Sequence, residues 1–319
     1  MKTSYTVCRS FVPKYIEDGE EKVVARFNLG VATINLTYAA LQSKRDGTDF
    51  YVELAKLCDL AFDANMVRIE RMKGTKAKVS PILWQYGALA SLGPEDTIDH
   101  LFYNGNATSS IGYAGLYEAL EVLDDTSKEK GIEILSFIKD KTVQYTKLTN
   151  IAFSVYGTPL ESGCLRFSEC LKKEFGDMWD FDRDFVTNSY HRPVFSDIDM
   201  LEKFEWEGDF YKISSGGNVN NIELPSMRNN LEGFEGVIKA AYDKVNYLIC
   251  NQPCDRCFEC GCEDEFVALE DGYHCPNCGN NNPETANCTR RVSGYIHDAL
   301  ARPANKGKYE EQSKRVKNV

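Results

Sequence analysis

The first 250 residues alternate between runs of β-branched residues and stretches in which apolar residues recur at helical spacing. The run "VVARFNLGVATINL", residues 23–36, is rich in Val, Ile and Thr and predicts a buried strand or a pair of strands. Residues 49–72 and 229–250 each carry an apolar stripe that predicts an amphipathic helix. The stripes consist of Val52, Leu54, Leu57, Leu60 and Ala61, and of Leu231, Phe234, Val237, Ile238 and Ala241. This order of elements predicts an α/β fold.

One junction between such elements combines several local signals. In "IAFSVYGTPLES" the pattern predicts a strand over residues 151–156 that turns at Gly157 into a helix. Thr158 is the expected N-cap, Pro159 the first helical residue, and Glu161 the partner in a capping box. Free backbone N–H groups at such a strand-to-helix turn bind anions and substrates in many α/β folds. We therefore expect a substrate site at Thr158, Glu161 and Ser162, with a helix start that binds no ligand as the alternative.

Composition narrows the class of protein. The chain has 319 residues, of which 43% are hydrophobic, so it can bury a substantial core. Its formal net charge of −11 offers no general attraction for nucleic acid. No stretch is apolar over the roughly 18 residues that a membrane span needs, and the first residues lack the apolar core of a signal peptide. We expect a cytoplasmic protein that binds neither nucleic acid nor a membrane.

Seven of the twelve cysteines lie between positions 250 and 278. Two pairs among them form C-x-x-C-G knuckles, in which the glycine lets backbone N–H groups fold toward the thiolates. These pairs predict a closed structural Zn²⁺ site made by Cys257, Cys260, Cys275 and Cys278, with the 14 residues between the pairs forming a hairpin. Cys254 and Cys262 are left over, and His274 is expected to be adjacent without binding the metal.

The ribbon itself is acidic. Eight acidic residues stand between Asn251 and Thr289, and Arg256 is the only lysine or arginine in this segment. A ribbon that binds nucleic acid would show the opposite balance. A non-enzymatic zinc-ribbon binding module is therefore the weaker alternative, and we expect the ribbon to support the segment that follows it.

That segment, "TRRVSGYIHDALARPANKGK", places Gly294 between a serine and an aromatic residue. Glycine adopts backbone conformations with positive φ at no steric cost, so a turn is the simple explanation. The alternative is that a residue without Cβ lets another atom approach its Cα closely. The sequence pattern alone leaves both open.

Several motifs in order resemble one known family. "VCRSFVPKY", "ARFNLGVATINL", "SPILWQYGA", "TSSIGYAGLYE", "FSVYGTPLES", "TNSYHRPV" and the cysteine-rich end followed by "RVSGYIHDALARPANKGKYEEQSKRV" are similar to the anaerobic (class III) ribonucleoside-triphosphate reductase large chain. The resemblance covers essentially the whole chain. It implies the reduction of ribonucleoside triphosphates to deoxyribonucleotides with a glycyl radical. It also implies part of a ten-stranded α/β barrel with a finger loop over residues 1–250, a zinc ribbon over 251–282, and a glycyl-radical loop and tail over 283–319.

The resemblance also assigns roles to single residues. Gly294 matches the glycyl-radical position, and Cys8 matches the finger-loop cysteine that becomes a thiyl radical. The four knuckle cysteines match the family's zinc ligands, and Asn28 matches an asparagine of the formate-using branch. The implied partners are a radical S-adenosylmethionine activating enzyme and a second copy of the completed subunit in a homodimer.

Three departures from the family pattern change the expectations. Ser293 stands where many relatives have cysteine, and Thr6 and Val7 stand where the formate-using branch has Met-Gly, which leaves the reductant open. Only seven residues precede Cys8, so the resemblance leaves the family's N-terminal half unmatched. We expect a split reductase completed by a separate N-terminal polypeptide. The alternatives are an inactive fragment or a spare part that restores a damaged enzyme, although a spare part would not need Cys8 or the long α/β region.

Overall fold

The computed structural model describes residues 4–7, 10–292, 294–297, 299–301 and 306–319. Strands and helices alternate between residues 27 and 251, as the sequence pattern predicts, and short strands precede and follow this region. The strands are β1 (Ser4–Val7), β2 (Ser10–Val12), β3 (Ile16–Glu17), β4 (Glu20–Glu21), β5 (Phe27–Asn35), β6 (Ala107–Ala114), β7 (Ala152–Gly157), β8 (Asn220–Glu223), β9 (Leu248–Asn251), β10 (Arg256–Cys257), β11 (Val267–Leu269), β12 (Gly272–His274), β13 (Ala286–Asn287), β14 (Arg290–Arg291) and β15 (Ile296–His297).

Helices of the α type connect and cover these strands. They are α1 (Leu36–Asp46), α2 (Phe50–Met72), α3 (Pro81–Trp84), α4 (Leu116–Val122), α5 (Lys128–Thr149), α6 (Gly163–Phe175), α7 (Met200–Glu207), α8 (Phe210–Ile213), α9 (Leu231–Ala241) and α10 (Lys306–Ser313). Short 3-10 turns occur at Ala77–Val79, Asp99–Phe102, Gly176–Met178 and Ala299–Ala301.

The chain divides into two compact units. The first contains Met1–Ala114, Ala119–Thr158 and Phe210–Asn218, and the second contains Gly115–Glu118, Pro159–Asp209 and Val219–Val319. Within the described residues, no helix is both long and apolar enough to cross a membrane.

The first unit is built on a parallel sheet with the strand order β5-β6-β7. Helices α1 and α2 connect β5 to β6, and α4 and α5 connect β6 to β7, which are the crossovers that parallel pairing requires. All residues of β6 and β7 are buried. The predicted strand at residues 23–36 is confirmed as β5, but its residues are half-buried except Ile34, unlike those of β6 and β7.

The helix predicted at residues 49–72 is confirmed as α2. The Asp49 carboxylate caps it by accepting the N–H groups of Tyr51 at 2.8 Å and Val52 at 3.3 Å. The predicted stripe is wrong in part, since Val52 is 50% exposed and Leu60 is 65% exposed. The buried positions are Phe50, Glu53, Leu54, Cys58, Ala61, Asn65 and Ile69.

Two close contacts explain small residues in the sheet. A Cβ at Gly112 of β6 would lie 2.3 Å from the Thr158 Oγ1 and 2.6 Å from the Thr33 Oγ1. These two hydroxyls are themselves hydrogen-bonded at 3.0 Å. Gly216 is equally confined, because its Cβ would lie 2.3 Å from the Ser154 Oγ, while its N–H donates to the Val155 carbonyl at 2.8 Å. Gly216 is therefore there for close approach rather than for a turn alone.

The predicted N-cap at Thr158 is wrong. The Thr158 hydroxyl pairs with Thr33, and its N–H donates to the Tyr113 carbonyl at 3.2 Å, which extends the pairing of β6 with β7. Helix α6 begins only at Gly163, after Ser162, whose side chain makes no capping hydrogen bond. The hydroxyl cannot serve a helix N-terminus while it is engaged by the sheet, so the helix starts four residues later than Pro159.

The second unit contains the parallel pair β8–β9, which packs with α7 and α9 around a small core. Its buried members are Phe204, Ile222, Leu224, Val237 and Ala241. The helix predicted at residues 229–250 is confirmed only over Leu231–Ala241, as α9, and the end of the predicted range forms strand β9 instead. The apolar stripe predicted for it is also wrong in part. Leu231 is 75% exposed and Ile238 is 45% exposed, because the buried side of α9 is centred on Val237 and Ala241.

The end of the chain is held in the same unit. The N–H of Val316 donates to the Val194 carbonyl at 2.8 Å, and the N–H of Asn318 donates to the Glu223 carbonyl at 2.8 Å. In α10, Lys308 forms a buried ion pair with Glu311. The Glu311 carboxylate also accepts from Arg315 at 3.0 Å. The tail is therefore a packed part of the fold.

Candidate metal centre and glycine hairpin

The two cysteine knuckles have the same backbone geometry. In the first, the Gly261 N–H donates to the Cys257 carbonyl at 3.0 Å, and the Cys257 N–H donates to the Cys262 carbonyl at 2.9 Å. The second repeats this pattern with Gly279, Cys275 and Asn280, at 2.9 Å for both bonds. Gly261 has a φ of +75° and Gly279 a φ of +73°, which is the left-handed region that glycine alone enters freely. The role predicted for the knuckle glycines is confirmed.

The knuckles bring four sulfurs together. The Sγ atoms of Cys257, Cys260, Cys275 and Cys278 all lie within 4.8 Å of one another. The Cys257 and Cys278 sulfurs are 3.6 Å apart, and so are those of Cys260 and Cys275. Four sulfurs at this spacing surround one point, as tetrahedral Zn²⁺ coordination requires. The cluster could therefore hold a metal such as zinc.

The electrostatics of the cluster call for a cation. The Asn280 side-chain amide donates to the Cys257 sulfur at 3.5 Å and, with nearby backbone N–H groups, lowers the pKa of Cys257 to about 6. The pKa of Cys278 is raised instead: the Asn280 N–H favours its thiolate, but the neighbouring Cys260 sulfur and burial outweigh that effect. Thiolates this close repel one another unless a metal ion compensates their charge.

The residues between the knuckles form the predicted hairpin of β11 and β12. His274 lies beside the cluster but not in it, since its Nε2 is 2.8 Å from the Asp271 carboxylate and its Nδ1 is 3.2 Å from the Gly279 carbonyl. Cys254 is exposed, and Cys262 packs against the ribbon core without belonging to the four-sulfur group. A core of Phe266, Tyr273, Ala299 and Tyr309 joins the ribbon to α10.

Gly294 lies in the turn of a second, very short hairpin. Strands β14 and β15 pair Arg290 with His297 and Arg291 with Ile296. Between them the Val292 N–H donates to the Tyr295 carbonyl at 2.9 Å, and Gly294 is partly buried. Glycine is common in tight turns, so this position is compatible with both explanations that the sequence leaves open.

The remaining predicted site residues fall in different places. Asn28 is the second residue of β5 in the first unit, and its amide donates to the Ser10 hydroxyl at 2.9 Å and to the Phe11 carbonyl at 3.3 Å. Cys8 lies outside the described residues. Glu161 and Ser162 precede α6 in the second unit, where the neighbouring Leu160 N–H donates to the Asn188 side chain at 2.8 Å.

Sequence reasoning missed the buried charges of the second unit. The fully buried Glu207 carboxylate lies 2.8 Å from the Lys203 Nζ and 3.1 Å from the His191 Nδ1, and accepts from the Asn220 amide at 2.9 Å. Burial alone would raise the pKa of Glu207, but Lys203 and His191 outweigh it and lower this pKa to about 2. The i,i+4 spacing of Lys203 and Glu207 was the only signal, and it is common on exposed helices.

A second missed group connects the two hairpins. The Asp255 carboxylate, with a fully buried side chain, forms an ion pair with Arg290. It also accepts the Phe266 N–H at 2.7 Å and the Thr289 N–H at 3.3 Å. Asp255 directly precedes the first strand of the ribbon, and Arg290 begins the hairpin that carries Gly294. Nothing in the sequence links two residues 35 positions apart.

The fold and the site define a mixed α/β protein with a four-cysteine cluster that could hold a metal ion, followed by a short hairpin that contains Gly294. A family model described as anaerobic ribonucleoside-triphosphate reductase matches residues 1–318, and the chain belongs to that family.

The chain is similar to curated and solved members. It is 38% identical to an anaerobic ribonucleoside-triphosphate reductase of Haemophilus influenzae over 98% of this chain and 45% of the relative. It is 40% identical to the enzyme of that name from Enterobacteria phage T4, over 98% of this chain and 52% of the relative. The chain therefore spans about half the length of the curated relatives that it matches.

Solved structures agree on the fold. A structure of an anaerobic ribonucleotide reductase superposes with a TM-score of 0.64 at 20% identity, covering 90% of this chain and 44% of that one. The Thermotoga maritima enzyme in complex with dATP and CTP gives a TM-score of 0.60 at 20% identity, covering 88% of this chain and 44% of that one. The described strands form a three-stranded parallel sheet and two-stranded pairs, so the ten-stranded barrel remains an expectation.

Proposed function

We propose that this chain is the radical-bearing catalytic part of an anaerobic ribonucleoside-triphosphate reductase. It would convert ribonucleoside triphosphates to deoxyribonucleotides. The observation that carries the proposal is the family match over residues 1–318, which includes the hairpin glycine next to the four-sulfur ribbon. The acidic ribbon and the extended match both disfavour a non-enzymatic zinc-ribbon module.

Gly294 would carry the glycyl radical after a radical S-adenosylmethionine enzyme removes a hydrogen atom from its Cα. A radical on this carbon supplies a stored unpaired electron that ordinary side chains do not provide. Cys8 would then give its hydrogen atom to Gly294: the S–H bond breaks, a Cα–H bond forms, and the sulfur can take hydrogen from the ribose C3′. This exchange needs an approach of about 3–3.5 Å, which a Cβ at position 294 would obstruct.

Cys257, Cys260, Cys275 and Cys278 would hold a structural Zn²⁺. The donor set fits this ion, because four thiolates fill its tetrahedral shell and leave no open position for substrate. The metal would order the ribbon, and the ribbon would support the hairpin that follows it. We accordingly assign residues 251–282 to the ribbon and 283–319 to the radical loop and tail.

Thr158, Glu161 and Ser162 remain the proposed substrate-binding residues, although the helix starts later than expected. The loop between Gly157 and Gly163 still follows the carboxyl end of a buried parallel strand, where ligands bind in open α/β sheets. Asn28 is proposed to contact the reacting part of the substrate or reductant.

Turnover is proposed to need the half of the relatives that this chain does not match. That half would complete the ten-stranded barrel, and the completed subunit would form a homodimer. Ribonucleotide reduction should appear when a polypeptide equivalent to the relatives' N-terminal half is added to the activated chain. Reduction by the 319-residue chain alone would contradict this part of the proposal.

The roles of the two radical residues can be separated by a cysteine substitution. With Cys8→Ser in the completed enzyme, we expect the glycyl radical signal to persist and ribonucleotide reduction to be lost. The matched control is Cys170→Ser, which changes an exposed free cysteine and should keep both. Full turnover by the Cys8→Ser protein would refute the assignment.

A further inference from the structure

The hairpin of β14 and β15 is too small to hold its own shape. It has two residue pairs, and isolated two-stranded hairpins are at best marginally stable in water. Ile296 in the second strand is 53% exposed. The position of Gly294 therefore depends on the contacts that hold the first strand in place.

Arg290 makes one set of these contacts. Its guanidinium forms the buried ion pair with Asp255, donates to the Phe266 carbonyl at 3.4 Å, and lies 5.2 Å from the centre of the Tyr273 ring. The side chain of Arg290 is 12% exposed and that of Asp255 is fully buried, so the pair is shielded from solvent. All three partners lie within the ribbon, residues 251–282.

Gln312 of α10, which follows the hairpin in the sequence, makes a second set of contacts with the first strand. Its amide donates to the Arg291 carbonyl at 2.9 Å, and its carbonyl accepts from the Tyr273 hydroxyl at 3.1 Å. Tyr273 therefore contacts both side chains: its ring lies against Arg290, and its hydroxyl donates to Gln312. The Arg291 guanidinium also donates to the side-chain amide oxygen of Asn251 at 2.9 Å.

We propose that Arg290 and Gln312 are positioning residues that fix the Gly294 hairpin against the Tyr273 face of the ribbon. This inference rests on the proposed function for its catalytic meaning. The ribbon would hold the first strand through Arg290, and the tail helix would hold it through the hydrogen bond of Gln312 to the Arg291 carbonyl. Neither side chain needs to touch substrate for its loss to displace Gly294.

Hydrogen exchange of the zinc-loaded full chain tests whether Arg290 and Gln312 hold the hairpin in place. Arg290→Gln and Gln312→Met should each increase the exchange rate of the Val292 amide about tenfold or more, because each removes a buried or charge-assisted hydrogen bond. The Gly261 and Gly279 amides in the knuckles should keep their protection, and zinc content should stay unchanged. The matched control is Arg228→Gln. It breaks an ion pair with Glu263 at the surface, where the Arg228 side chain is 75% exposed.

The radical yield tests the catalytic meaning. In the assembled enzyme after anaerobic activation, both variants should give less glycyl radical per bound zinc than wild type, and Arg228→Gln should match wild type. Arg290→Lys keeps the charge opposite Asp255 and should restore part of the yield. A wild-type enzyme without any radical would refute the proposed function. The positioning of the hairpin would then be tested by the exchange rate of the Val292 amide alone. Unchanged Val292 exchange, unchanged yield, or zinc loss in parallel with the yield would each overturn the positioning role.

Discussion

At the scale of single residues, glycines with different physical roles can be told apart in this chain. Gly261 and Gly279 have positive φ, and a Cβ at either would meet nothing within 4 Å. Gly112 has no such φ but is surrounded by side-chain atoms. Backbone strain limits substitution in the first case, and steric overlap limits it in the second.

For the knuckle glycines we expect a modest cost. Gly261→Ala and Gly279→Ala should each destabilise the zinc-bound ribbon by about 1 kcal/mol, the cost of a left-handed non-glycine residue. Competition with a chelator would measure this as weaker zinc retention. Gly236→Ala in α9 is the control, since it lies in a helix with open space around its Cβ and should not weaken zinc binding.

For Gly112 the cost should be larger. Gly112→Ala would bring a Cβ within 2.7 Å of three side-chain atoms, on Thr158, Thr33 and Val31. Overpacking of this kind costs about 1–3 kcal/mol, so the midpoint of denaturant unfolding should fall. An unchanged midpoint would mean that the sheet is looser than described.

At the scale of elements, the buried charges decide how α7 packs against β8. Replacing Glu207 with Gln should destabilise the protein at neutral pH by about 3 kcal/mol, because Lys203 would then be buried without its counter-charge. Denaturant unfolding measures the difference. Glu235→Gln is the control, since Glu235 forms an exposed ion pair with Lys239.

The same carboxylate predicts a pH dependence. Its pKa in the folded protein is lowered to about 2 from an ordinary value of 4.5, so its stabilisation is present above about pH 4.5 and is lost as the pH falls toward 2. The stability gap between wild type and Glu207→Gln should therefore shrink over this range. A gap that stays constant as the pH falls would contradict the assignment of Glu207 as an ionised buried group.

Elements also mark the limit of what the sequence could predict. The knuckles and the capped helix α2 were predictable because each depends on residues a few positions apart. Thr158 was misassigned because its hydroxyl is engaged by Thr33, 125 positions away, and no local pattern reports that contact. The Asp255–Arg290 pair was missed for the same reason.

The exposed positions in α2 and α9 have a related cause. A stripe gives the period of a helix but not the direction of its neighbours, so Val52, Leu60 and Leu231 fitted the pattern while lying outside the core. The glycine at position 294 is different again. The structure shows that it lies in a turn, but the chemistry assigned to it rests on the resemblance to a family.

At the scale of the whole molecule, the metal site should control one part of the chain. Structural zinc contributes about 10–16 kcal/mol in small zinc peptides, enough to order a segment as short as this ribbon. Removing the metal with a chelator should expose the amides of residues 256–297 to hydrogen exchange. The amides of β6 and β7 should stay protected, because their sheet lies in the other compact unit. Equal loss of protection in both would argue against a separate zinc-dependent segment.

The central claim is that Gly294 carries the radical, and electron paramagnetic resonance after anaerobic activation tests it most directly. Wild type and Gly236→Ala should both give a doublet of the glycyl type, and Gly294→Ala should give none while keeping its zinc. A doublet that survives in the Gly294→Ala protein would contradict the account.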